Sequence, residues 1–131
     1  MATTSINKKP WGTEELWADT PYYKAKILYI EGGKRLSRKY HVLREHTIRI
    51  LSGTLRIECG PNRPGDTIKV EHLKKGDTKT LSRNQVHRFC AADGGVRLVE
   101  VSNGGRDNYV RVEDDYGRIT GYPQKLKQSD K

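Results

Sequence analysis

The chain has 131 residues, of which 34% are hydrophobic and 31% charged, and its formal net charge is +9. This length suits a single domain. No apolar run approaches a length of about 20 residues, which a helix needs to cross a membrane. The N-terminus lacks the apolar segment of a secretion signal, so we expect a cytoplasmic protein whose positive charge favours anionic partners.

Short runs of β-branched and aromatic residues, separated by Gly-containing turns, predict an all-β domain over residues 9–118. Residues 1–8 are expected to be flexible, and residues 119–131 to form a polar tail. Asp93, Gly94 and Gly95 form a hairpin signal between the two strands that flank them. The pattern predicts eight to ten short strands and therefore a sandwich or barrel. The candidate strands are 14–18, 22–30, 36–41, 46–51, 54–58, 67–70, 78–81, 86–91, 96–102 and 109–113.

The predicted strand over 22–30 places Lys24, Lys26, Leu28 and Ile30 on one face. If that face lines the interior, the two ammonium groups need an anion or a carboxylate nearby. The alternative is that Lys24 lies at the rim and Lys26 extends its charge to solvent.

Alternation also places Lys39, His41 and Leu43 on one face of a strand, with His46 on the same side of a returning neighbour. A third imidazole, His87, follows later. Three neutral imidazoles suit Zn²⁺ or Ni²⁺ and leave a coordination position open. The alternative is a set of hydrogen-bonded interior histidines without a metal.

Three further predictions concern the cysteines, the fourth histidine and nucleic-acid binding. Cys59 and Cys90 form no CxxC motif, and we expect free thiols rather than a disulfide. His72 is expected on the surface. Nucleic acid is disfavoured as a partner because Phe89 is the only Phe and aromatic residues do not interleave with the basic ones.

The spacing of several residues resembles the two cupin motifs, and the chain is similar to the small cupin domain of type II mannose-6-phosphate isomerases. The first motif is matched by Gly33, His41, His46 and Gly53, and the second by Gly76 and His87. The narrower resemblance rests on KPWG at 9–12, YKAKILYIEGG at 23–33, LSGT at 51–54 and VRVEDDYGR at 110–118. It implies a double-stranded β-helix, or jelly roll, and a homodimer with residues 11–17 as a candidate interface.

The resemblance also implies a metal, held in the usual motif by Gln, two His and Glu from the first region and His from the second. His41 and His87 match this pattern. Lys39 stands in place of the Gln, Leu43 in place of the second His and His46 in place of the Glu. The three histidines are therefore the expected ligands of a divalent metal, with Zn, Ni, Fe or Mn as candidates. A one-residue bulge that brings Glu45 into the carboxylate position is the alternative.

By the same resemblance, the chain acts on or binds a phosphorylated sugar in a basic barrel pocket. Interconversion of an aldose phosphate and a ketose phosphate requires an acid–base pair, an electrophile and cations for the phosphate. Lys39 and Arg118 are the expected catalytic residues, and Lys26 and Arg88 the expected substrate-binding ones.

Several alternatives remain open in the sequence. Arg111 is a further candidate cation, and Glu58 and Glu100 are candidate bases. Arg118 could instead form a salt bridge with Asp114 or Asp115. The function could be that of a non-catalytic sugar-phosphate-binding cupin, or of a cupin lyase or dioxygenase with a three-histidine metal site.

Overall fold

The computed structural model describes residues 5–118, which form nine β-strands and no helix. The predicted tail at 119–131 and the first four residues lie outside this range. Within it, no helix is long and apolar enough to cross a membrane. The strands are β1 (Ser5–Lys9), β2 (Gly12–Asp19), β3 (Tyr23–Ile30), β4 (Arg38–His41), β5 (His46–Cys59), β6 (Lys69–Leu73), β7 (Thr78–Leu81), β8 (His87–Asn103) and β9 (Tyr109–Glu113).

Two long strands, β5 and β8, connect the two layers of the curled antiparallel sheet. They pair with each other along most of their length, from His46 opposite Ser102 to Cys59 opposite His87. The first half of β5 also pairs with β7, and its second half with β6. The second half of β8 pairs with β3, and its first residue with β4. Each long strand therefore passes from one layer to the other, and the sheet closes into the predicted double-stranded β-helix.

The bends in these strands lie where the sequence places glycines. The pairing of β5 and β8 shifts register on both sides of Gly53, whose φ is +82°. A Cβ at Gly53 would lie 2.2 Å from the carbonyl oxygen of Gly95. The hairpin predicted at residues 93–95 is wrong, because β8 continues through them as a bulge. Residues 46–59 likewise form one strand rather than two.

The core lies between the two layers and is built from the inward faces of β3, β5 and β8. Ile48, Ile50, Leu55, Ile57 and Leu98 are each at most 1% exposed. Burial of one such side chain contributes about 1.5–3 kcal/mol. Because this core fills one part of the barrel, the polar inward residues are left together in the other.

Candidate functional site

A cavity in the barrel gathers most of the polar side chains that point inward. Its apolar wall is formed by Trp11, Leu28, Leu36 and Phe89. Seven lining residues carry a positive charge and three are carboxylates, so the cavity keeps an excess of positive charge when its histidines are neutral. The cations are Lys9, Lys24, Lys26, Lys39, Arg44, Arg111 and Arg118, and the carboxylates are Glu14, Glu100 and Asp107.

The three predicted histidines meet in this cavity. The ring centroids of His41 and His46 are 4.1 Å apart, those of His41 and His87 are 5.9 Å apart, and those of His46 and His87 are 6.4 Å apart. All three residues are at most 9% exposed. They come from β4, β5 and β8, so the cluster depends on closure of the barrel.

Each imidazole has a hydrogen-bond acceptor or a carboxylate near its Nδ1 atom. Nδ1 of His41 lies 3.0 Å from a carboxylate oxygen of Asp107, and Nδ1 of His87 lies 3.0 Å from the backbone oxygen of Gln85. Nδ1 of His46 lies 3.1 Å from Glu100 Oε2. That last pair is a close contact without hydrogen-bond geometry, and both ring nitrogens of His46 are buried without a hydrogen-bond partner among the described residues.

Burial and the neighbouring charges together set the charge states in the cavity. It lowers the pKa of His87 to about 3 and also lowers the pKa of His41, although Asp107 opposes the latter shift. Burial acts to raise the pKa of Glu100, but His46, Lys26 and Lys39 outweigh it and lower that pKa to about 2. Near neutral pH, His41 and His87 are therefore uncharged and Glu100 is ionised.

Lys39 reaches the cavity without a carboxylate partner within residues 5–118. Its Nζ atom lies 5.5 Å from the ring centroid of Tyr109, and Arg111 Cζ lies 5.0 Å from the same centroid. Burial lowers the pKa of Lys39 to about 8, with Arg111 and Lys26 adding to the effect and Glu100 opposing it. Lys39 is thus a cation near neutral pH that is readily neutralised.

The lysines of β3 both line the cavity, as expected if their face is the inner one. Lys26 Nζ lies 2.9 Å from Glu14 Oε2, which supplies the carboxylate that an interior ammonium needs. Burial acts to lower the pKa of Lys26, but the neighbouring Glu14 carboxylate outweighs burial, so the pKa of Lys26 is raised.

The two predicted arginines have different positions. Arg118 lines the cavity and pairs with Asp114 through Nη2, at 2.9 Å from Oδ1. Arg88 lies outside the cavity lining and is 2% exposed. It donates from Nε to the backbone oxygen of Leu36 and from Nη2 to Asp115.

Other candidates lie away from the histidines. Leu43, Glu45 and His72 are exposed, and none lines the cavity. Glu58 is buried outside it and accepts a hydrogen bond from Arg38 Nη2 at 2.7 Å. Of the two candidate bases, only Glu100 reaches the cavity. Cys59 and Cys90 are both free.

The sequence pattern gave no signal for several cavity residues. Asp107 lies in the polar loop between β8 and β9, and Arg44 lies in the turn before β5, where no periodicity assigns a direction to a side chain. Arg44 is 4% exposed, and its Nε atom is buried without a hydrogen-bond partner in the described chain. Its guanidinium donates to the backbone oxygen of Gly105 and lies 4.0 Å from Asp107.

We tested whether these residues could hold a metal. Among residues 5–118, no three His, Cys, Asp or Glu side chains bring their donor atoms together as a metal site. The ammonium of Lys39 beside the histidines also opposes a cation. The lining of the cavity thus combines the histidines with an excess of positive charge.

The fold of this chain is similar to the folds of several solved structures. KdgF from Halomonas sp. has a TM-score of 0.67 at 14% identity, with 78% of this chain and 87% of that chain covered. A protein from Klebsiella pneumoniae with a double-stranded β-helix domain has a TM-score of 0.64 at 21% identity, with coverages of 76% and 77%. The capsular polysaccharide assembling protein CapF from Staphylococcus aureus has a TM-score of 0.76 at 13% identity, with 86% of this chain covered but only 32% of CapF.

No curated protein matches the chain. A family model, described as mannose-6-phosphate isomerase C-terminal, matches residues 2–120 and so covers nearly the whole sequence. With the cupin fold of its structural neighbours and this match, the chain belongs to the mannose-6-phosphate isomerase C-terminal family of cupins.

Proposed function

We propose that the cavity binds a phosphorylated sugar, with the phosphate held chiefly by Lys39 and Arg111, two cations without a carboxylate partner within residues 5–118. The observation that carries this proposal is that both cations lie near one ring, with Lys39 Nζ 5.5 Å and Arg111 Cζ 5.0 Å from the Tyr109 centroid. Arg111 Nε is buried without a hydrogen-bond partner within the described residues. A phosphate oxygen would satisfy both groups, and charge-assisted bonds of this kind are among the stronger ones in proteins.

The remainder of the cavity suits the sugar. Trp11, Phe89 and Tyr109 offer aromatic surface, and Glu100 and Asp107 offer acceptors for hydroxyl groups. Most of the lining residues are charged or polar, which suits the hydroxyl groups of a sugar, and polar groups at fixed positions set the orientation of a bound small molecule.

For the chemistry, we propose aldose–ketose isomerisation of that sugar phosphate. In this proposal His41, whose Nδ1 contacts Asp107, would move the proton between the two carbons, and Lys39 would polarise the carbonyl oxygen. Arg118 at the cavity wall would contact the phosphate. A coupled assay with mannose 6-phosphate tests this chemistry, and a zero rate with tight binding would leave the non-catalytic binding function.

A divalent metal on His41, His46 and His87 is the second candidate. Since a carbonyl oxygen only accepts, Nδ1 of His87 carries the proton and Nε2 keeps its lone pair; the Asp107 contact favours the same state for His41. Such outer partners are typical of metal-bound histidines. Elemental analysis of untagged protein tests this candidate: a stoichiometric metal lost in a His41→Ala, His87→Ala double variant supports it, and no metal after incubation with Zn²⁺, Ni²⁺, Fe²⁺ or Mn²⁺ refutes it.

The binding proposal is tested by titration calorimetry with mannose 6-phosphate. Arg111→Gln should weaken binding about tenfold, the scale expected for one charge-assisted hydrogen bond. Arg49→Gln is the matched control, because Arg49 is exposed on β5 and outside the cavity. Equal affinities of wild type and Arg111→Gln would contradict the proposed phosphate contact.

A further inference from the structure

The segment Glu113–Arg118, here called the acidic strap, begins at the last residue of β9 and is fixed to the barrel by three arginines. Arg38 Nε lies 2.6 Å from Glu113 Oε1, and Arg88 Nη2 lies 2.9 Å from Asp115 Oδ1. Arg35 donates twice to Asp115, from Nε at 2.6 Å and from Nη2 at 2.9 Å. The strap is therefore attached through its two outer carboxylates.

Two of the three anchoring arginines, Arg38 and Arg88, are buried although the carboxylates are not, whereas the side chain of Arg35 is 43% exposed. The side chains of Arg38 and Arg88 are 8% and 3% exposed, whereas those of Glu113 and Asp115 are 59% and 40% exposed. Tyr116 adds an apolar contact with the core and donates to the backbone oxygen of Arg35 at 3.2 Å. The barrel thus presents a fixed set of donors, and the strap supplies the acceptors.

The inner carboxylate of the strap has a different task. The side chain of Asp114 is fully buried and accepts hydrogen bonds from the backbone N–H of Arg118 and from Nε and Nη2 of its guanidinium. Arg111 Nη1 in turn donates to the backbone oxygen of Arg118 at 3.4 Å. Both arginines line the cavity, so the strap joins the outer anchors to two cavity cations.

We propose that the acidic strap positions Arg111 and Arg118 for the phosphate, and that Arg88 is a positioning residue that acts through Glu113 and Asp115 from outside the cavity. This inference rests on the proposed function. It gives Arg88 a role in binding without contact with the ligand, and it explains why two acidic residues accompany the cations of a basic pocket.

The test loosens the strap without changing any cavity residue. In a Glu113→Gln, Asp115→Asn double variant, we expect amide hydrogen exchange over residues 109–118 to become at least about tenfold faster. We expect the dissociation constant for mannose 6-phosphate to rise about tenfold, while that for mannose is unchanged. Glu71→Gln is the matched control, because its side chain is 53% exposed and pairs with Lys79 on another part of the sheet. Should the double variant fail to fold, Asp115→Asn alone keeps the contacts of Glu113 with Arg38 and Arg88.

The outcomes separate this inference from the function on which it rests. Unchanged exchange in the variant would show that the strap is not anchored by these pairs. Faster exchange with an unchanged ratio of the two dissociation constants would overturn the positioning role. A wild type that binds mannose 6-phosphate no better than mannose would overturn the proposed function, before any variant is made.

Discussion

His41 and His46 have ring centroids 4.1 Å apart, although their strands, β4 and β5, do not pair with each other. Both strands pair instead with β8, which supplies His87. The histidine cluster is thus a product of barrel closure rather than of one hairpin. Any change that alters the bend of β8 should alter the cluster.

Removal of the Lys39 charge should weaken phosphate binding. We expect Lys39→Met to raise the dissociation constant for mannose 6-phosphate about tenfold, equivalent to about 1.4 kcal/mol, because Lys39 reaches the cavity without a carboxylate partner in the described chain. Lys75→Met, in an exposed turn, is the control and should bind like wild type. Titration calorimetry measures both, and unchanged binding by Lys39→Met would remove Lys39 from the site.

The buried pair of Arg38 and Glu58 should contribute strongly to stability. Their side chains are 8% and 7% exposed, and Glu58→Gln would leave Arg38 with Glu113 as its only carboxylate partner within residues 5–118. We expect the free energy of unfolding to fall by about 2–4 kcal/mol, since removal of one partner leaves a buried charge poorly compensated. Glu71→Gln breaks a more exposed pair and should cost less than about 1 kcal/mol. Urea denaturation gives both free energies of unfolding. An equal loss of stability in Glu58→Gln and Glu71→Gln would contradict the strong contribution of the buried pair.

Burial of neutral His87 predicts a loss of stability in acid. Its pKa falls from 6.5 to about 3 on folding, so between these values the unfolded chain binds the additional proton. Stability from this group is complete above pH 6.5 and declines as the pH falls towards 3, with a slope of up to about 1.4 kcal/mol per pH unit.

The comparison of two substitutions isolates this effect. Urea denaturation between pH 7.5 and 5.5 should show a shallower pH dependence for His87→Gln than for wild type. His72→Gln replaces an exposed histidine outside the cavity and should retain the wild-type slope. If the free energy of unfolding changed with pH equally in wild type, His87→Gln and His72→Gln, His87 would not be a buried neutral group.

The bend that the paired strands β5 and β8 share should require glycine at position 53. Gly53 and Gly76 both have a positive φ, +82° and +91°, but a Cβ would meet the Gly95 carbonyl oxygen only at Gly53, while Gly76 faces open space. Gly76→Ala should cost about 1 kcal/mol of backbone strain, and Gly53→Ala should cost about 2 kcal/mol more because the strands must separate. Thermal unfolding of the two variants measures the difference, and similar melting temperatures would argue against the close approach.

Much of the fold could be predicted because β-strand alternation is local. The predicted strands at 78–81 and 109–113 coincide with β7 and β9, and 22–30 differs from β3 by one residue. The start of β1 at Ser5 could not be read from residues that are polar and largely exposed; it forms because it pairs with β2. Asp93, Gly94 and Gly95 have the composition of a turn, but the partner strand β5 continues across the bend, so the chain does not reverse.

The cavity residues were predictable where they lie on strands, and Arg118, beyond the last strand, was indicated by the family resemblance. Lys26, Lys39, His41, His46 and His87 all reach the cavity, as alternation and spacing indicated. Asp107 and Arg44 come from loop and turn positions that only the closed barrel brings inward. Alternation separates Arg88 from the cavity cations, because Arg88 directly follows the cavity residue His87 on β8 and successive side chains of a strand point to opposite faces. The assignment of Arg88 to the substrate took its charge into account but not this direction.

The most direct test of the account is the wild-type preference for the phosphate. Titration calorimetry at low salt, with mannose 6-phosphate and mannose as ligands, should give a dissociation constant at least about tenfold lower for the phosphorylated sugar. That preference should shrink as salt screens the cavity cations. Equal affinities for the two sugars at every salt concentration would contradict the proposed function.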